Sequence, residues 1–312
     1  MRFIILFLLF LSSCAPVQKQ PSMAYITNQG DNTVSVIDIV QNKVVSTIKV
    51  GKAPVGVAVS RKLQRVFISN VESNNISVIN TQNNTVIKSI ALQGAPVGLA
   101  MAPDNRTLYV ADWFSDKILA INTANYGERR EVIVATAPAG LVVSADSNTL
   151  YVAARDSNEV AVIDTQTFTI IKRIAVGKHP FGLSLTGNTL YSVNVYDNTV
   201  SAINTQTFAQ TIIKVGEHPY CAVASADNKT LYVTNTQDDT ISVIDLSTNK
   251  IIATIDVGMT PEGISVALEG ALVLVASWGE NKVSIIDAKT NTLKGHIKTG
   301  DKSRAFGQFI LQ

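Results

Sequence analysis

The side chains best suited to bind a ligand or to catalyse a reaction recur at two positions in this sequence. These positions lie directly before and directly after the residue that opens an apolar segment. Four consecutive copies of this segment contribute them: His179 with Phe181, His218 with Tyr220, Glu262, and Arg304 with Phe306. Aromatic rings supply flat apolar area, and a guanidinium is a fork suited to carboxylate or phosphate. Such a set of side chains could bind an anionic or sugar-like ligand.

Three further copies of the same segment carry only small or aliphatic side chains at both positions. They read Ala53 and Val55, Ala95 and Val97, and Ala137 and Ala139. The copies act as an internal control, because a position that varies among them is not dictated by the fold. We therefore interpret the polar and aromatic set as one side of a binding site, bordered by Trp113, Arg155 and Trp278. The alternative is that all of these are solvated loop residues.

The same residues could support two other kinds of chemistry, metal binding and catalysis. His179, His218 and Cys221 have the side chains that bind Zn or Cu, but the two histidines fall in adjacent units and Cys221 replaces a strand glycine. We therefore predict no metal site. Only three histidines occur, and there is no Gly-x-Ser-x-Gly or Cys-x-x-Cys-His motif. No catalytic residue is predicted and the cofactor is unknown.

The elements that position these residues follow from an internal repeat. A four-residue phrase such as Tyr232–Asn235 recurs seven times, with first residues at 25, 67, 109, 151, 191, 232 and 274. A fixed period of this size is typical of stacked or radial repeats. Each unit reads as four short strands with turn-forming residues between them, and no segment has a helical apolar period.

These units predict an all-β fold, a seven-bladed β-propeller with four antiparallel strands per blade, over residues 24–312. The first unit starts at its second strand, since no proline segment precedes Tyr25. The segment Ala305–Leu311 would supply the missing strand, so that the two ends of the chain share one blade. Such closure removes exposed strand edges.

The N-terminus indicates export. Arg2 precedes an apolar run, Phe3–Leu11, that is too short to span a bilayer and typical of a signal peptide. Leu11–Cys14 resembles a lipobox, which predicts a signal peptide at 1–13, lipidation of Cys14 and a tether at 14–23. The alternative is an ordinary secretory signal that contains a cysteine. We expect an exported lipoprotein held at the membrane, in the periplasm or on the cell surface.

Composition excludes several classes of protein. The formal net charge of +2 and the lack of a basic stripe argue against a nucleic-acid binder. With Cys14 lipidated, Cys221 is the only remaining cysteine, so the mature chain would have no internal disulfide. We expect a monomer.

The phrase Tyr232–Asn235, with Asp239–Asp245 and Val257–Gly263 around it, resembles the signature of the YVTN-repeat β-propeller family. The resemblance covers about 24–312 and implies the propeller fold. The family includes envelope proteins, and similar propellers occur in lactonases and in redox enzymes that bind haem or quinone cofactors. It shares no catalytic motif, so the resemblance assigns no site residue.

The sequence thus favours a binding or interaction scaffold, with a small-molecule ligand or a protein partner at one mouth of the central channel, over an enzyme. Two alternatives remain: a lactonase-like hydrolase, and a docking subunit of a periplasmic redox complex.

Overall fold

Each repeat forms one four-stranded antiparallel sheet, and seven sheets surround a central channel. The computed structural model describes residues 22–311. The predicted signal peptide, Cys14 and nearly all of the tether lie outside this range. The prediction of a seven-bladed propeller is confirmed.

The strands are numbered in chain order, and each blade is given from its inner to its outer strand where the chain allows. Blade 1 contains β1 (Met23–Asn28), β2 (Thr33–Asp38) and β3 (Lys43–Lys49). Blade 2 contains β4 (Pro54–Ser60), β5 (Arg65–Asn70), β6 (Asn75–Asn80) and β7 (Thr85–Ala91). Blade 3 contains β8 (Pro96–Met101), β9 (Thr107–Asp112), β10 (Lys117–Asn122) and β11 (Arg129–Ile133). Blade 4 contains β12 (Pro138–Val143), β13 (Thr149–Ala154), β14 (Glu159–Asp164) and β15 (Thr169–Ala175).

The remaining strands complete the ring. Blade 5 contains β16 (Pro180–Thr186), β17 (Thr189–Asn194), β18 (Thr199–Asn204) and β19 (Gln210–Lys214). Blade 6 contains β20 (Pro219–Ala224), β21 (Thr230–Asn235), β22 (Thr240–Asp245) and β23 (Lys250–Asp256). Blade 7 contains β24 (Pro261–Ala267), β25 (Leu272–Ser277), β26 (Lys282–Asp287) and β27 (Thr292–Lys298). The chain ends with β28 (Phe306–Gly307) and β29 (Ile310–Leu311).

Helix is nearly absent from residues 22–311. Two single 3-10 turns occur, at Arg155–Ser157 and Leu268–Gly270. Within the described range no helix has the length and apolar character needed to cross a bilayer.

Burial falls from the inside of each blade to the outside. In blade 2, all but the first residue of β5 is buried, whereas β7 exposes every side chain except Ile90. The apolar second and third strands therefore pack between neighbouring blades, and the half-polar fourth strand meets water.

The ring closes through the last ten described residues, 302–311, which we call the clasp. In β29, Leu311 and Ile310 pair with Met23 and Ala24 of β1 in an antiparallel ladder. The clasp also reaches the next blade, because β28 pairs in parallel with Gly56 and Val57 of β4. The predicted sharing of one blade by the two termini is confirmed.

The two ends of the channel have different loops. The first residue of each loop between second and third strands donates its amide to the carbonyl before the inner strand, as Val71 does to Ala53 at 3.1 Å. These two sets of loops therefore share one end, which we call the proline face. Loops between first and second strands, and between third and fourth strands, form the opposite end, which we call the cavity face.

Inner strands approach one another closely around the channel. The Ser69 hydroxyl accepts from the Gly56 amide at 2.7 Å and donates to the Val97 carbonyl of the next blade at 2.8 Å. A Cβ on Gly56 would collide with that same carbonyl. Glycine therefore recurs here because backbone of the next blade occupies the space of a side chain.

Candidate functional site

Hydrogen bonding at the clasp corrects the predicted register by two residues. The amide of Lys302 donates to Asn281 Oδ1 at 2.7 Å, just as the amide of His179 donates to Asn158 Oδ1 at 2.8 Å. Lys302, and not Arg304, is therefore equivalent to the residue before a proline. Ser303 takes the place of the proline, which is why the register was not obvious from the sequence.

Arg304 consequently occupies the position that directly follows the proline in other blades. The Ala305 amide donates to Thr27 Oγ1 at 2.9 Å, which matches the bond from Gly56 to Ser69. Phe306 lies two residues further along the channel, where it pairs with Gly56. Both residues remain at the channel, but the predicted equivalence of Phe306 with Phe181 and Tyr220 was wrong.

The residues that follow the prolines converge on the channel axis at the proline face. They are Val55, Val97, Ala139, Phe181, Tyr220, Glu262 and Arg304, and together with Phe306 we call them the plug. The ring centroid of Phe181 lies 4.1 Å from that of Tyr220 and 4.8 Å from that of Phe306. The plug is mostly buried, and its six apolar and aromatic members pack in one cluster. It closes this end of the channel.

An ion pair is built into the plug. The Arg304 guanidinium donates through Nε to the Glu262 carboxylate and through Nη2 to the Tyr220 hydroxyl at 2.8 Å. A third, longer bond of 3.4 Å runs from Nη1 to Oε1 of Gln29, which also accepts from Trp278 Nε1 at 3.2 Å. Glu262 is only 8% exposed. All sides of the Arg304 fork thus have partners within the protein.

Electrostatics of this pair follow from burial. Loss of hydration raises the pKa of the Glu262 carboxyl, and the Arg304 guanidinium opposes that rise. The same burial, with Arg304 opposing, raises the pKa of the Tyr220 hydroxyl. The charged form of Arg304 is favoured, because Glu262 and Tyr220 raise the pKa of its guanidinium although burial alone would lower it.

The two histidines do not contact each other but share a neighbour, Tyr196. Its ring stacks on His179 with centroids 4.1 Å apart and meets His218 edge-on at 5.7 Å. His179 Nδ1 lies 3.5 Å from Asp156 Oδ1. Burial, Arg155 and His218 lower the pKa of His179, while Asp156 opposes them. His179 is therefore harder to protonate than an imidazole in water.

The three residues predicted to border this face do lie there. The Arg155 guanidinium stacks over the Trp113 ring at 4.0 Å and also bonds Asp156. The Trp113 ring lies 5.9 Å from that of Phe181, which joins it to the plug. On the opposite side, the ammonium of Lys302 lies 5.2 Å from the centre of the Trp278 ring.

Three large exposed side chains at this face were not predicted. Phe114 is 81% exposed, Tyr196 59% and Met259 49%. Phe114 and Tyr196 hold the second position of the loops between second and third strands, where other blades carry Gly30, Glu72, Asp156, Gln237 and Gly279. The same comparison between repeats, applied one residue further along, would have found them.

Negative charge surrounds these rings. Each of the seven loops between second and third strands carries a carboxylate, and only Arg155 among them is cationic. The carboxylates belong to Asp31, Glu72, Asp116, Asp156, Asp197, Asp238, Asp239 and Glu280. Several of them accept backbone amides, such as Asp197 from Lys178 at 2.7 Å. An amide donor is neutral, so these carboxylates keep their negative charge, whereas Glu280 is paired with Lys282 and Asp156 with Arg155.

The open end of the channel lies at the cavity face. A cavity of about 630 Å³ extends from Phe306 to the loops that join first and second strands. Its wall consists of inner-strand backbone and of small or aliphatic side chains, with Arg61 and Glu269 at the rim. Cys221 lies at its closed end, where burial raises the pKa of the thiol.

No cluster of three or more His, Cys, Asp or Glu side chains that could hold a metal ion occurs in the described part of the chain. His179, His218 and Cys221 do not converge, because Tyr196 contacts both imidazoles and Cys221 faces the cavity.

Comparisons with known proteins agree with the fold. The family model described as the cytochrome D1 heme domain matches residues 188–305, less than half of the chain. A hydrazine synthase chain from Kuenenia stuttgartiensis superposes with a TM-score of 0.74 at 19% identity, over 84% of this chain and 91% of that one. A functionally unknown protein from Desulfotomaculum acetoxidans DSM 771 gives a TM-score of 0.79 at 13% identity, over 91% and 99%.

No curated protein matches the sequence significantly. Identities this low support the propeller fold alone, and the predicted YVTN family stays a prediction.

The matched family raises the question of a haem, whose iron is held by His, Cys thiolate, Met or Tyr. Neither His nor Tyr lines the cavity, and burial raises the pKa of the Cys221 thiol, which disfavours the thiolate that binds iron. Met101, the one thioether in the wall, has no second ligand opposite it among the lining residues. These residues do not fit a haem.

Proposed function

We propose that this protein is an exported, lipid-anchored propeller that acts as an interaction scaffold, and that its proline face docks a protein partner. The observation that carries this proposal is the plug. Because Phe181, Tyr220 and Phe306 close the channel, the proline face is a continuous surface and not the mouth of a pore. A continuous surface suits a protein better than a small molecule.

The chemistry of the surface supports a protein partner. Exposed Phe114, Tyr196 and Met259 are residue types enriched in the centres of protein interfaces. His179, Trp113 and Arg155 lie beside them and are held by stacking, so they lose little conformational freedom on binding. Carboxylates on all seven loops then favour a partner with a basic face.

Site-specific photocrosslinking in cells of the source organism tests this. A photoreactive phenylalanine analogue is placed at Phe114 or at Tyr196, and for comparison at Val40 and Ile171, which are 68% and 61% exposed away from the proline face. We expect a discrete adduct with one basic protein from the first two positions only. Adducts of equal yield from all four positions would overturn the proposal.

Charge variants separate docking from chance contact. Glu72→Lys should lower the adduct yield, and Lys289→Glu on the cavity face should not, because only the first changes the electrostatic potential that the partner meets.

The lipid anchor is tested in the same strain. Replacing Cys14→Ser should move the protein from the membrane fraction to the soluble fraction if that cysteine is lipidated.

A second candidate is docking within a periplasmic redox complex, in which the partner carries the redox centre. The similarity of residues 188–305 to a heme-domain family favours it, as does the fold shared with a hydrazine synthase chain. The visible absorption spectrum of the purified crosslinked adduct tests this candidate, because a haem in the partner would show in that spectrum. If the partner has no redox cofactor, the redox-complex candidate is wrong, whereas the scaffold proposal still stands.

The hydrolase alternative needs a His or Glu at the mouth that polarises a water. Glu262 and His179 do not suit that role, because the Glu262 carboxylate bonds Arg304 and His179 stacks on Tyr196. His218, whose buried Nδ1 has no hydrogen-bond partner among residues 22–311, is the residue on which this alternative rests.

A further inference from the structure

The direction of strand β1 determines at which end of the ring the residues before it lie. Met23 pairs with Leu311, and Leu311 lines the cavity. The carbonyl of Ser22 accepts from the amide of Ile39, in a loop of the cavity face, at 3.1 Å. Strand β1 then runs towards Asn28, which pairs with Ser303 at the proline face. The tether therefore leaves the ring at the cavity face.

We propose that the cavity face is the membrane-facing surface of this protein and that its partner there is the lipid bilayer. The proposal rests on the lipid anchor at Cys14 that forms part of the proposed function. The channel cavity then opens towards the bilayer, and the proline face is presented away from it.

The length of the tether decides against the opposite orientation. Seven residues lie between Cys14 and Ser22. The eight Cα–Cα steps that join them span at most about 28 Å when fully extended. To put the proline face on the membrane, the tether must pass outward across β2 and β3, about 10 Å, and then along the full height of the ring, about 20 Å. This route of about 30 Å exceeds the reach of the chain.

The distribution of charge favours the same orientation. The proline face carries eight carboxylates in its seven loops between second and third strands, and Glu217 and Asp301 in the loops before the inner strands add two. The cations of these loops, the plug aside, are fewer: Arg155, Lys52, Lys178 and Lys302. On the cavity face, the loops between first and second strands are balanced: Asp104, Asp146, Asp227 and Glu269 against Arg61, Lys62, Arg106 and Lys229. An anionic bilayer repels the first surface and tolerates the second.

An exposed apolar side chain also lies next to the exit of the tether. Val40 is 68% exposed and follows Ile39, whose amide holds Ser22. Because Val40 is on the cavity face, the proposed orientation turns it towards the lipid.

The orientation has a consequence for the cavity of about 630 Å³. With the plug closing the other end, any molecule that enters the channel does so from the space between the ring and the membrane.

Resonance energy transfer on vesicles tests the orientation. The lipidated protein, with Cys221→Ala, is reconstituted in phosphatidylethanolamine–phosphatidylglycerol vesicles that contain rhodamine-labelled headgroups. A donor dye is attached at Lys62→Cys or Lys289→Cys on the cavity face, or at Glu72→Cys or Gln237→Cys on the proline face. We expect transfer to be roughly twofold or more higher from the cavity-face sites, because the two faces are about a strand length apart.

Vesicle flotation of the same samples tests the lipid anchor separately from the orientation of the ring. Flotation with equal transfer from both faces, or with higher transfer from the proline face, overturns the orientation and leaves the anchor intact. Failure to float overturns the anchor and the orientation together. A Cys14→Ser sample, which should not float, shows that binding depends on that residue.

Discussion

The guanidinium of Arg304 shows how one residue can be structural at a position that looks like a ligand site. It is bonded to Glu262, Tyr220 and Gln29. Removing one partner of a buried ion pair leaves the other charge uncompensated. We expect Arg304→Met to lower the free energy of unfolding by about 3–5 kcal/mol, measured by urea denaturation at pH 8.

The matched control is the double variant Glu262→Leu, Arg304→Met, which removes both charges and should recover most of the loss. Acid should also reduce the defect of the single variant. Without Arg304 the pKa of Glu262 rises further, and a carboxyl with a raised folded-state pKa contributes stability that is lost as the pH rises. If the single variant is as stable as wild type at pH 8, the pair contributes nothing.

His179 predicts a dependence of stability on pH at the proline face. Its pKa is lowered from 6.5, first by burial and then by Arg155. The unfolded chain therefore binds the proton more tightly, so this contribution is present above pH 6.5 and is lost as the pH falls below it. Urea unfolding between pH 7 and 5 should show a smaller loss of stability for His179→Gln than for wild type. Identical slopes would show that His179 titrates normally.

Residue types at the site could be predicted from the sequence, but not what they contact. The comparison of repeats found His179, Tyr220 and Glu262 because they depart from bland positions in other blades. It misplaced Arg304 by two residues, since Ser303 replaces the proline that marks the register. Gly300, two residues before Lys302 as Gly177 is before His179, carried the correct register. The bonding of Arg304 depends on Gln29, which lies 275 residues away in the chain.

The Asn that ends the second strand in four of the seven blades (Asn28, Asn70, Asn194 and Asn235) ties that strand to the third strand of its blade. Asn70 Nδ2 donates to Asn75 Oδ1 at 2.7 Å and to Ser77 Oγ at 2.9 Å. A Cβ on Gly51 would lie 2.7 Å from the Asn70 side chain. Gly51→Ala should therefore destabilise the protein by about 1–3 kcal/mol, measured by chemical denaturation.

A double-mutant cycle tests the origin of that cost. With Asn70→Ala present, Gly51→Ala should cost about 1 kcal/mol less than it does alone, because the clash is gone. Blade 4 carries this combination naturally, with Ala135 and Ala154 at the equivalent positions. Gly295→Ala is the control, since nothing lies within 4 Å of the added Cβ. Strict additivity would mean that Gly51 and Asn70 do not interact.

Strand positions were predictable because local pattern and tertiary packing agree in every blade. The predicted turn residues Asp197 and Asn198 lie between two strands, as expected. The half-polar fourth strand of the same blade is mostly exposed, which also agrees with its sequence. The split of the clasp into β28 and β29 was not predictable, because the parallel pairing of Phe306 with Gly56 depends on how the ring closes. Gly307, with φ of 105°, makes the turn between these pairings.

At the scale of the whole molecule, the ring has two different surfaces, joined by a channel that the plug closes at one end. The proline face holds the plug, the exposed rings and the acidic loops, and the cavity face holds the chain ends. Both surfaces depend on closure of the ring, since Arg304 bonds Tyr220 within the plug and Leu311 lines the cavity.

Closure is therefore the property on which stability of the whole molecule should depend, and Phe309 tests it without deleting any backbone. Its side chain is 0% exposed within the core between the first and last blades, and its carbonyl accepts from the Tyr25 amide at 3.0 Å. Phe309→Ala should lower the free energy of unfolding by about 3–5 kcal/mol, because a large buried ring leaves a cavity. Phe114→Ala removes the same ring from a side chain that is 81% exposed and should change stability by less than about 0.5 kcal/mol. Calorimetry distinguishes the two, and equal melting temperatures for both variants would show that the clasp does not hold the ring together.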